Sequence, residues 1–153
     1  MVSVAGEIAV FGRRKQCWIN LPRHFHRHQL TFDAFHRACA HCPPHRAVIE
    51  WCVDHYSRGH RILVVAGRDA WSRDLTEHGL SRHLPVPIAG LHMRGYEDFR
   101  SNTTIKRDIH SQLTVTYDVR AAIDDDPEFV GLWRDVGIPV AMVLDGGGVL
   151  ELK

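Results

Sequence analysis

The sequence predicts an α/β fold built on a doubly wound, parallel, five-stranded sheet. From about residue 45 onward, short apolar runs rich in β-branched residues alternate with segments whose apolar residues recur at helical spacing. Gly, Pro or cap-type residues punctuate these segments. Such a β-α-β-α rhythm calls for parallel strands joined by right-handed crossovers, with helices on both faces.

The elements follow in order. A first strand lies within "VSVAGEIAVFG", although its exact placement is open. "HRAVIEWCVDHYSRGH" sets Val48, Trp51, Cys52 and Tyr56 on one helical face, with Gly59 as the stop. "RILVVAG" is a continuous apolar run closed by Gly67, as expected of a strand buried on both faces. "RDAWSRDLTEHGLSRHL" reads as a helix with Trp71, Leu75 and Leu80 inward, and "VPIAGLHM" as the third strand. "SNTTIKRDIHSQL" opens with cap-type residues and continues as a helix. "TVTYDVRAAI" is a fourth strand, "PEFVGLWRDVG" a helix with Pro127 in its first turn, and "IPVAMVLDGG" the last strand. The stretch 13–44 has the weakest periodicity and reads as an irregular insertion or small cap on a single domain spanning 1–153.

Composition narrows the class. With 44% hydrophobic and 24% charged residues the chain is of globular type, and no apolar run approaches the roughly 20 residues that span a bilayer. Charges follow the first apolar stretch instead of preceding it, the reverse of a secretory signal, so a cytoplasmic location is expected. Cys17, Cys39, Cys42 and Cys52 are then expected as free thiols. A formal net charge of +1 gives no global electrostatic case for nucleic acid.

In doubly wound sheets ligands sit at the carboxyl ends of the strands. Gly67 to Asp69, Arg94, Asp124 to Asp126 and Asp145 to Gly148 all fall at such ends. Three consecutive acids repel one another, so something must offset Asp124, Asp125 and Asp126. Three roles stay open for them: capping the following helix, holding a divalent cation, or pairing with Lys106.

"ILVVAGRD", "LHMRGYEDFRSNTTIKRDI" and "VRAAIDDDPEFVGLWRDVGIPV" together resemble the phosphatase module of the haloacid dehalogenase superfamily, most closely that of phage polynucleotide kinase–phosphatases. The likeness runs from about His45 to Leu144, and "FDAFHRACAHCPPHRAVIE" looks like a drifted form of the preceding family segment. It implies a Rossmann-like fold of that superfamily and a reaction with defined parts. Two aspartates after the first strand serve as nucleophile and general acid, and a Ser or Thr after the second strand holds the phosphate. A lysine neutralises the phosphoaspartate, and acids after the fourth strand bind Mg²⁺ with the nucleophile. Position by position, Lys106 matches the lysine, Asp124 and Asp125 the acidic pair, and Arg68 and Arg100 two family arginines.

Other parts are missing. Ala66 replaces the hydroxyl residue, and Ser101 and Asn102 replace Lys and Asp in the substrate-side run. One register of the first motif puts Ser3 and Ala5 at the aspartates; a later one puts Ala9 and Phe11 there. Before Asp33 the only acid is Glu7, so neither register supplies two carboxylates. The resemblance therefore implies a pseudophosphatase, phage-type and cytoplasmic in its host cell. It would act by binding a protein or a phosphorylated ligand gripped by Arg68, Arg100 and Lys106. It would use no cofactor, or Mg²⁺ held weakly by Asp124 and Asp125. A protein partner or a homodimer is expected, with a phosphorylated small molecule or nucleic-acid end as the other ligand. The alternative is an active Mg²⁺-dependent phosphatase on nucleotides or polynucleotide 3′-phosphate ends, working through Asp124, Asp125 or Glu7.

Two motifs lie outside this frame. His36, Cys39, Cys42 and His45 in "HRACAHCPPH" are zinc-type ligands, but no second pair accompanies them and Pro43 and Pro44 break a shared face, so zinc is not expected. His24, His26 and His28 read as a solvated loop. Arg23, Arg27, Arg37 and Arg46 with Phe25, Phe32 and Phe35 form a basic-aromatic segment of the kind that contacts nucleic acid.

Overall fold

A computed structural model of the protein describes residues 7–12, 44–144 and 147–152. One six-stranded sheet organises them. The strands are β1 (Glu7–Gly12), β2 (Arg61–Asp69), β3 (Ile88–Arg94), β4 (Val119–Asp124), β5 (Val140–Val143) and β6 (Val149–Leu152), in the spatial order β3-β2-β1-β4-β5-β6. The helices are α1 (Arg46–Ser57), α2 (Arg73–His83), α3 (Asn102–Thr116) and α4 (Pro127–Asp135). Pairings among β1 to β5 are parallel and β6 runs antiparallel beside β5. The predicted insertion at 13–44 lies almost wholly outside the described residues.

Burial along β2 explains why it sits inside the sheet. Ile62 through Ala66 are all buried, so both faces are covered. Leu63 and Val65 pack with Ile105, Ile109 and Leu113 of α3 and Val130 and Trp133 of α4. Ile62 and Val64 face the other way, into a cluster with Trp51 and Cys52 of α1, flanked by Leu80 and Leu84. Period-two alternation in one strand thus feeds two cores, one beneath each layer of helices. Helix ends obey their local signals. Ser101 accepts the Thr104 N–H at 3.1 Å at the start of α3, Pro127 opens α4, and Gly59 takes φ 91° just beyond α1, a left-handed conformation that favours glycine.

Several elements depart from the periodicity. Trp71 is 40% exposed, because a 3₁₀ turn over Ala70–Ser72 precedes α2 and shifts the helical phase; Ser72 and Thr76 are buried instead. Tyr56 is exposed as well. β2 does not stop at Gly67 but continues through a register shift to Asp69, which pairs with Arg94 of β3. β6 follows a turn in which the Gly147 N–H donates to the Leu144 carbonyl at 2.9 Å, and the Glu151 carboxylate accepts the Trp51 indole N–H at 2.9 Å, tying the edge strand to α1.

Three histidines lie in or against these cores. His110 packs at a tilt against Trp133 with ring centroids 4.4 Å apart, His92 meets Tyr117 edge-on at 5.6 Å, and His55 packs at a tilt against Trp51 at 4.0 Å. Burial pushes all three below the ordinary imidazole value of 6.5. Each therefore binds protons more readily when unfolded, and the stability it contributes above pH 6.5 is lost as pH falls through that value toward the folded pKa. Urea titrations between about pH 7.5 and 5.5 should show a loss of stability in the native chain that is smaller in His110→Leu. Equal pH slopes in the two proteins would contradict the assignment.

Candidate functional site

At the C-terminal rim of the sheet, β1, β2, β4 and β5 end side by side. The β1–β2 register pairs Phe11 with Val65 and Gly12 with Ala66. On its other side β1 pairs Val10 with Ile123, so Asp124 stands one step further along, beside Phe11. The residue of β1 level with Ala66 is therefore Gly12, one beyond Phe11 of the later first-motif register. Ser3 and Ala5 lie outside the described residues. Gly12 carries no carboxylate and Ala66 no hydroxyl, so at this level the described ends of β1 and β2 present neither group.

Asp124 is 0% exposed. Its Oδ1 accepts the Asp126 N–H at 2.9 Å, and its Oδ2, which has no hydrogen bond, faces Lys106 Nζ at 3.6 Å. Lys106 is itself buried, and the same Nζ lies 3.9 Å above the centre of the Phe129 ring. Burial pushes the Asp124 carboxyl well above the usual carboxylate range, while the Lys106 charge and the Asp126 N–H oppose the shift. The three acids thus divide their work. Asp124 holds the lysine, Asp126 caps α4 by accepting the Glu128 N–H at 3.1 Å, and Asp125 is half-buried between them.

The family arginines fare differently. Arg68 lies on β2 at the rim and Asn102 opens α3. Arg100 does not stand ready for an anion: its guanidinium is clasped by Asp98 at 2.7 Å and Asp108 at 2.6 Å. That bond to Arg100 pulls the Asp98 carboxyl down to about 2. Arg94, at the end of β3, is buried and donates to the carbonyls of Asp98 at 2.8 Å and Arg100 at 3.1 Å. Together these bonds brace the loop 95–100, in which Glu97 adopts φ 53°, a conformation non-glycine residues rarely take. The braced loop presents Tyr96 at 70% and Phe99 at 89% exposure. Sequence periodicity gave no signal for this feature, nor for Phe129 beneath the ammonium.

Metal ligands are sparse. Among the described residues no group of three or more His, Cys, Asp or Glu side chains gathers in a way that could hold a metal ion. Among the described residues, the Mg²⁺ that the fold family implies would find Asp124 and Asp125 at the end of β4 and no acid at the carboxyl end of β1, whose one acid, Glu7, stands at its opposite end; that donor set does not fit a cation demanding near-octahedral oxygen coordination. Of the zinc-type quartet only His45 is described, ahead of α1; His36, Cys39 and Cys42, like His24, His26 and His28, lie outside the described residues.

Removing one member of a buried ion pair strands the other. Lys106→Ala should destabilise the fold by about 3–5 kcal/mol in urea denaturation, whereas Lys106→Met combined with Asp124→Asn should recover most of that loss. Phe99→Ala, by contrast, should stay within about 0.5 kcal/mol of the native chain, since the ring packs on little of the fold.

Comparison with known proteins agrees with this architecture. Residues 23–147 match the family model described as the polynucleotide kinase PNKP phosphatase domain. Among solved structures, a chain from "Structure of the Pnkp1/Rnl/Hen1 RNA repair complex" superposes with a TM-score of 0.69 at 18% identity, covering 90% of this chain and 42% of that one. A chain from "Structure of Pnkp1/Rnl/Hen1 complex" gives 0.66 at 18% identity, covering 90% and 45%. The protein thus spans less than half the length of these structural neighbours.

Proposed function

The chain belongs to the family of polynucleotide kinase PNKP phosphatase domains, and we propose that within it this protein is a pseudophosphatase, acting by binding and not by turnover. One observation carries the reading: the sheet register sets Gly12 opposite Ala66. Nucleophile and phosphate-holding hydroxyl must both reach one phosphate, so in this fold they belong on adjacent strand ends at the same level. At that level this chain has a hydrogen atom and a methyl group. Water attack without the covalent intermediate would also lack the metal that offsets the charge of a phosphate dianion approaching Asp124.

The ligand that best suits the rim is a protein. Two of the three cations that would grip a phosphate, Lys106 and Arg100, are already paired with Asp124 and with Asp98 and Asp108. Tyr96 and Phe99, held out on a braced loop of the same rim, are the aromatic type that anchors protein interfaces, and a pre-ordered loop loses little entropy on binding. The neighbours' place in a complex of several named components is in keeping with a bound partner.

The competing reading, an active phosphatase on polynucleotide 3′-phosphate ends, draws support from the family match and from Lys106 and Asp124 standing in contact at the rim. Purified protein with Mg²⁺ and either an aryl phosphate or a 3′-phosphorylated oligonucleotide separates the two. No release of phosphate above the buffer rate is expected. Turnover that disappears in Asp124→Asn would overturn the proposal.

A further inference from the structure

We infer that the ammonium of Lys106 stands in for a divalent cation at Asp124, so that this rim is neutralised from within and takes no Mg²⁺. The inference rests on reading the rim as non-catalytic, but it concerns the metal alone.

Charge balance is the first support. Asp124 is fully buried and carries one negative charge when ionised; Lys106, also buried, brings one positive charge 3.6 Å away. A divalent ion added to that pair leaves a dehydrated site cationic, unless a further carboxylate enters. Among the described residues the carboxyl end of β1 supplies none, for the residue level with Ala66 is Gly12 and Glu7 stands at the far end of the strand, and the adjacent Asp125 would still leave the site with a net positive charge.

Geometry is the second. Asp124 Oδ1 accepts the Asp126 N–H, and Oδ2, which has no hydrogen bond, is the oxygen with both lone pairs open to a metal. That oxygen faces Nζ. A Mg²⁺ at its usual distance of about 2.1 Å would sit within roughly 6 Å of the ammonium. The ammonium cannot retreat freely, since it also lies 3.9 Å over the Phe129 ring, whose face attracts a cation. Carboxylate on one side and ring on the other form a slot fitted to an ammonium. Mg²⁺ requires six oxygen donors and gains nothing comparable from a ring.

Two measurements test this without reference to activity. Free Mn²⁺, followed by electron paramagnetic resonance as a stand-in for Mg²⁺, should show no saturable loss to the native protein. Its melting temperature should also be the same in Mg²⁺ and in EDTA at matched ionic strength. Lys106→Met keeps the stem and removes the charge; its melting temperature should rise by about 5 °C in saturating Mg²⁺. Adding Asp124→Asn should abolish that rise. A Lys106→Met chain that folds only with Mg²⁺ present supports the inference as well. One saturable equivalent of Mn²⁺ on the native protein overturns it, as does a Lys106→Met chain that ignores Mg²⁺ or stays unfolded with and without it. Mn²⁺ binding without phosphatase turnover would remove this inference and leave the pseudophosphatase reading intact.

Discussion

A carboxylate with no access to water needs a cation beside it, and the rim of this sheet is organised around that need. Asp124 sits at the end of a strand whose preceding residues, Ala122 and Ile123, are wholly enclosed, so the chain delivers the acid into the interior whether or not it has catalytic work there. Lys106 reaches it from the middle of the second turn of α3, a helix fixed by Ile105, Ile109 and Leu113 against the core. Phe129, in the first turn of α4, closes the far side of the ammonium. The cap at Asp126 sets where α4 starts and hence where that ring lies. Remove one member of the pair and a buried charge is stranded where three elements meet, although their apolar packing remains.

Much of the fold was legible because burial leaves a simple mark. The unbroken apolar run of β2 and the Pro and cap residues at the starts of α3 and α4 each report a local constraint that the tertiary structure preserves. The expectation of five strands missed β6, a four-residue segment that follows a turn and has two exposed residues at its centre, too short to show a period. Trp71 was misplaced because a 3₁₀ turn breaks the phase that helical spacing assumes. The site was legible only in part. Lys106 and Asp124 could be matched through the family resemblance, yet their pairing is a choice of rotamer and distance that no spacing encodes. Arg100 illustrates the converse: its partners are two and eight residues away, and nothing in the sequence says that it turns to them instead of toward a ligand. The level of Gly12 emerged only from strand pairing, because a motif that has lost its aspartates has lost the marks by which it could be aligned.

On the proposed reading, loss of chemistry and retention of the pair follow from different pressures. A nucleophile contributes to turnover and its removal leaves no buried charge behind, so Gly at that level is tolerated by the fold. Asp124 and Lys106 cannot be lost singly without stranding the other in a low-dielectric interior, which favours keeping both whether or not they serve catalysis. A family phosphatase domain without its reaction would then retain the appearance of half an active site for structural reasons, while its loop 95–100 offers aromatic surface for contact.

The central claim is that no side chain of this protein accepts a phosphoryl group from a monoester. Incubation with a phosphomonoester and Mg²⁺, acid quenching, and mass spectrometry of the intact chain and its peptides measure that most directly. The account predicts unmodified protein at every time point; a phosphoryl adduct on any carboxylate would contradict it.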